Sequence, residues 1–152
     1  MIVIKKSQTA DTRSCDLSKV TKETLIASSN QHIGDVRKAM AFFMEMLVSA
    51  GEKHDHDKLT GIDHFHADFQ TGFKQTGWLD NHRKVNRHHL DKPDGVPNDV
   101  NLLDVLEMVA DFTMAGMART GSVFPITLPP EVLARALENT AKLLKDQIEV
   151  EP

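Results

Sequence analysis

Apolar residues recur at three- and four-residue spacing along most of this chain, and that periodicity confines it to a fold built from helices. Ile33, Val36, Met40, Phe43, Met44 and Leu47 trace one such stripe over residues 30–50, and His32 stands four residues before Val36 on the same side. The clearest stripe runs over residues 98–119 through Leu102, Leu103, Leu106, Val109, Ala110, Thr113 and Met117, with Asn98 or Asp99 as cap and Gly121 as stop. Pro129-Pro130 opens a last helix to about residue 148, whose stripe is Val132, Leu133, Ala136, Leu137, Thr140, Leu143 and Leu144. Shorter helices are predicted over 61–74, capped by Thr60 or Asp63, and from near Trp78. Two prolines and a glycine within 91–97 make that stretch a loop.

The 152 residues suit one core. Residues 1–16 read as an N-terminal arm or short strand, and 17–152 as a single helical domain, so the expected class is all-α, an irregular bundle of five or six helices. The longest apolar run, residues 39–44, is far shorter than the ~18 residues a spanning helix needs. The N-terminus lacks the apolar centre of a secretory signal, and the expected location is cytoplasmic. A net charge of −4 argues against a general grip on a nucleic acid duplex. Exposed apolar helix ends leave homo-oligomerisation open.

Cys15 is the single cysteine, so any metal must be held by histidine and carboxylate. Seven of the eight histidines, His54, His56, His64, His66, His82, His88 and His89, fall between residues 54 and 89. Imidazole and carboxylate each offer a lone pair at neutral pH, which makes a His-rich segment flanked by Asp a candidate metal site. Taken singly, each of these histidines is as well explained by a solvated helix face.

The order of residue types narrows this. His32 on a long helix, His54-Asp55 some twenty residues on, and Asp111 within a later apolar helix resemble the H…HD…D pattern of the HD-domain metal-dependent phosphohydrolases, over residues 30–115. The stretch His54-Asp55-His56-Asp57-Lys58, followed by Asn86-Arg87-His88-His89, is also similar to small HD-related proteins, frequent in phages, that carry H-D-x-S-K and N-x-H-H; position 57 is Asp here rather than Ser. His56-Asp57 is therefore a rival to His54-Asp55, which is preferred because it places Lys58 where the motif has its lysine.

The resemblance implies His32, His54, Asp55 and Asp111 as ligands of a first metal, and His82 with His88 or His89 as ligands of a second. The cofactor would be one or two divalent transition metals: Mn, Co, Ni, Zn or Fe. Along an unbroken helix His82 and His89 would be about 10.5 Å apart in rise, so a shared ion requires the helix to end near Arg87. Asp104, seven residues before Asp111, could approach the same site from the helix edge.

Such a centre suits hydrolysis of a phosphate ester or anhydride by activated water, on a small phosphorylated substrate and a nucleotide first. Asp55 and Lys58 are the catalytic candidates, and Arg87 and Lys58 the phosphate contacts, since a guanidinium can grip two oxygens. Phe65, Phe69, Phe73 and Trp78, at helical spacing, are assigned to packing. The resemblance also admits an HD-fold di-iron oxygenase, and the residues alone admit a non-catalytic metal-binding module.

Overall fold

The computed structural model describes residues 1–6, 17–91 and 96–152. Most of the predicted arm, with Cys15, and the centre of the predicted 91–97 loop lie outside the described residues. The chain divides into two compact units, Met1–Glu45 with Lys142–Pro152, and Met46–Ala141.

In the first unit, strand β1 (Ile2–Lys5) pairs in parallel with strand β2 (Ile148–Glu151), Ile2 standing opposite Ile148 and Lys5 opposite Glu151. The last helix was expected to continue into 148, but it stops at Lys145. Ile148-Glu149-Val150-Glu151 alternates apolar and acidic with the period of a strand, and pairing with β1 satisfies its backbone. Helix α1 (Lys22–Lys53) starts earlier than its apolar stripe, because Thr21 Oγ1 accepts the Thr24 N–H at 3.2 Å and caps the first turn.

The second unit holds the end of α1 from Met46 on, α2 (Asp57–Thr60), α3 (Ile62–Gln70), α4 (Trp78–Val85), α5 (Leu102–Thr120) and most of α6 (Pro130–Lys145). The irregular all-helical architecture expected from periodicity is present, with the strand pair as the one addition among the described residues. No helix among them is long and apolar enough to cross a membrane.

Local details differ from expectation where a side chain chose another backbone partner. The cap of α5 is Asn101, not Asn98 or Asp99: its side chain accepts from Leu103 and Asp104 N–H, and Asp104 reciprocates by accepting the Asn101 N–H at 2.9 Å. Neither Thr60 nor Asp63 caps α3, whose N-cap position is held by Gly61. Gly121 does end α5, at φ 73°.

Leu90, Val100, Met108, Val132 and Ala136 form the buried cluster of this unit, each large side chain contributing about 1.5–3 kcal/mol by leaving water. Thr140 ties α6 to α5 by accepting the Leu102 N–H at 2.8 Å. Gly116 has no room for a Cβ: one built there would lie 2.5 Å from the Ser122 carbonyl oxygen and 2.6 Å from the Phe124 nitrogen. The bare glycine lets the 122–124 backbone fold against α5.

Asp68, fully buried on α3, accepts the N–H groups of Thr76 at 2.9 Å and of Gln75 and Leu79 at 3.4 Å. Burial works against its charge, but these donors outweigh it and hold the carboxyl below the usual range. Leu79 lies in the first turn of α4, which begins at a glycine without a side-chain cap, so Asp68 supplies the cap from another helix. That fixes the angle at which α4 presents His82.

Candidate metal centre

Immediately after α1 the chain reverses at Asp55, which takes φ 53°, a left-handed conformation that short polar residues tolerate best. The turn sets His54 and Asp55 beside His82 from α4, His88 and His89 from the segment after it, and Asp111 from α5. Two groups result, each with one ligand atom per residue within 4.8 Å of the others: His54, His88 and Asp111, and Asp55, His82 and His89. The described residues thus contain partly and fully buried His/Asp clusters able to hold a metal ion.

The Asp55 carboxylate lies between the two groups. Its Oδ2 is 3.5 Å from His54 Nε2, and its Oδ1 is 3.5 Å from His88 Nε2 and 3.4 Å from His82 Nε2. Asp111 Oδ1 is 3.7 Å from His54 Nε2, and its Oδ2 is 3.9 Å from His88 Nε2. These separations are long for hydrogen bonds. Two donors each about 2.0–2.1 Å from one tetrahedral ion stand about 3.3 Å apart, which is close to what is seen. Asp55 Oδ1 and both ring nitrogens of His88 are buried without a hydrogen bond, a costly arrangement that a cation would relieve at Asp55 Oδ1 and His88 Nε2.

A second layer of carboxylates orients the rings. Glu107 Oε1 accepts from His54 Nδ1 at 2.9 Å, and lies 2.9 Å from His88 Nδ1, off the hydrogen-bond direction. Asp57 accepts from His82 Nδ1 at 2.8 Å and from the Asn86 amide at 2.9 Å. With protons placed on Nδ1 by these partners, the Nε2 lone pairs of His54 and His82 turn toward Asp55 and, for His54, Asp111. His89 Nε2 is 2.9 Å from His82 Nε2, so in the metal-free protein His89 is the ring that donates. Burial, then the neighbouring His88 and His82, push the His89 pKa down to about 4, which keeps that ring neutral and competent as a ligand.

The acids are held ionised. Burial alone would raise Asp55, but its ion pair with Lys58, with His54 and His82 nearby, brings it below the ordinary carboxylate range. Glu107 is likewise lowered against burial by His88 and His54, and Asp57 by Asn86 and His82.

Several sequence expectations change. His32 belongs to neither group: it lies within α1, in the first unit, whereas both groups are built from the second. His88 and His89 both join, one in each group, because α4 ends at Val85 and Asn86 turns extended, bringing His89 back to His82. His56 is exposed and outside both groups, whereas its neighbour Asp57 supports His82. His64 and His66 are exposed on α3.

Arg87 is not free to hold a substrate. Its Nε and Nη2 grip Asp104 at 2.8 and 2.9 Å, and its Nη1 reaches Asp99 at 3.1 Å, so both Arg87 and Asp104 serve to brace the start of α5. Replacing Arg87 with alanine is expected to cost about 2 kcal/mol, discounted for the partial exposure of the guanidinium, because the buried Asp104 loses its partner. Thermal melting should show it. A tenfold rise in KM would instead restore Arg87 as a phosphate ligand.

Glu107 and Asp57 are the two supporting acids that the sequence does not single out as part of the centre. Their acidic character one turn from Asp111 and beside the HD pair was the available signal. The centre opens on a cavity of about 600 Å³ bounded by Lys58, Phe65, Phe69, Phe73, Arg83 and Arg119 among others, with His82, His89 and Asp111 in its wall. Phe65 stacks on Phe73 with centroids 6.2 Å apart and tilts over Trp78 at 4.3 Å, so these aromatics pack on one another as expected and also wall the cavity. Compared with protein-family models, curated proteins and solved structures, the chain matches none.

Proposed function

We propose that this protein is a metal-dependent phosphohydrolase acting on a small phosphorylated substrate, a nucleotide first. The observation that carries the reading is the Asp55 carboxylate within 3.5 Å of ring nitrogens from both His/Asp groups, at the edge of an aromatic and basic cavity. His54, His88 and Asp111 would hold one cation, His82 and His89 another, with Asp55 shared. When bound, such a pair would polarise a phosphoryl oxygen and acidify water near neutral pH.

The remaining residues suit the substrate's charge and shape. Lys58, paired with Asp55, keeps N–H donors for a phosphoryl oxygen on the cavity side. Arg83 from α4 and Arg119 from α5 line the cavity and have no ion-pair partner among the described residues, which leaves both guanidinia for anionic oxygens. Phe65, Phe69 and Phe73 present apolar faces on which a flat base can lie.

The test is a screen of nucleoside mono- and triphosphates and generic phosphate esters across Mn, Co, Ni, Zn and Fe, on protein purified without a histidine tag. Phosphate release with up to two metals per chain is expected. Two irons per chain with oxygen consumption and no phosphate release would replace the reading with an oxygenase. Failure to bind any metal would defeat both.

A further inference from the structure

Helix α1 has 32 residues and buries none of them. Within the first unit Ile26, Ile33 and Met40 recur every seven positions, with Val36 and Phe43 three residues after the second and third of these. Ile26 is 51% exposed, Ile33 47%, Val36 45% and Met40 62%. A sustained seven-residue repeat is the pattern of a helix that supercoils with another bearing the same repeat, since only 3.5 residues per turn keep one seam facing a partner.

The opposite edge of the helix is already in use. Gln31 and Lys38, seven apart and about half a turn from the seam, donate to the Lys5 carbonyl at 2.7 Å and the Val3 carbonyl at 2.8 Å, so β1 lies along the polar edge. Glu45 continues that polar row. The apolar seam therefore faces away from the strands of its own unit.

We infer that the seam of α1 is the interface with a second copy of this chain. Three arguments select that occupant. A twofold axis places the same repeat opposite itself, which makes the seam self-complementary. Its flanks, Asn30, Arg37 and Met44 on one side and His32 and Ala39 on the other, hold too few charges to select a different helix. Finally, the part of α1 that belongs to the first unit, up to Glu45, is about 36 Å long and 10–12 Å across, a footprint on the order of 400 Å² that side-chain relief raises toward the roughly 600 Å² per partner of the smaller stable dimers.

Sedimentation equilibrium of the untagged full chain, from 1 to 100 µM, tests this. The wild type is expected at twice the 17.0 kDa chain mass. Ile33→Glu combined with Met40→Glu is expected to weaken association at least 100-fold while the emission of the buried Trp78 stays unchanged. Glu45→Gln, on the polar row, should leave the dimer intact. A wild type at single-chain mass over the whole range overturns the inference, as does a double variant that dimerises normally. Hydrogen exchange on the wild type gives a reading that needs no variant: α1 amides should gain protection as concentration rises, and concentration-independent exchange would count against a seam at α1.

Discussion

Under the proposed function, Asp55→Ala is expected to lower phosphate release by on the order of 1,000-fold and to reduce the metal bound per chain. Asp55 is the carboxylate within 3.5 Å of His54, His82 and His88, so no neighbouring group can substitute for it. Its left-handed backbone, at φ 53°, would add about 1 kcal/mol of strain to an alanine variant. Asp55→Asn separates the two effects, because asparagine tolerates that conformation and keeps the shape while losing the charge. Elemental analysis and phosphate release should therefore fall together in Asp55→Asn, with the melting temperature of the metal-free protein nearly unchanged. Phosphate release that persists in both variants would end the mechanism proposed here.

Glu107→Ala should weaken metal binding by about 10–100-fold without removing any ligand. One oxygen of Glu107 lies 2.9 Å from Nδ1 of both His54 and His88, and its loss frees two rings of one group at once. Competition with a chelator would measure the change in affinity. Glu107→Gln should fall between, since its amide oxygen still accepts from one ring nitrogen. An unchanged affinity in Glu107→Ala would mean that the rings are held by packing alone, and that the carboxylate beneath them is incidental to the site.

The two kinds of residue in the centre were not equally legible in the sequence. Histidines crowded between 54 and 89, together with Asp111 in a buried-looking helix, stood out because ligand chemistry uses few residue types. Glu107 and Asp57 did not, because an acid at a helix edge looks the same whether it meets water or an imidazole. Arg87 was misassigned for the same reason: charge was visible, but its partner Asp104, seventeen residues on, was not. His32 matched a family pattern by order along the chain, which says nothing of whether its ring joins the ligand groups, and among the described residues it joins neither.

What the sequence alone determined was the helical class, the approximate place of the longer helices and the presence of a His/Asp metal-type cluster, since periodicity and ligand type are local properties of neighbouring residues. Tertiary structure decided the rest. It ended α4 at Val85 so that His89 folds back on His82, paired the last four-residue strand with the first, and set Asp55 between two groups. Each of these depends on contacts between residues far apart in the chain, where hydrogen-bond partners and burial are settled by packing and leave no periodic mark.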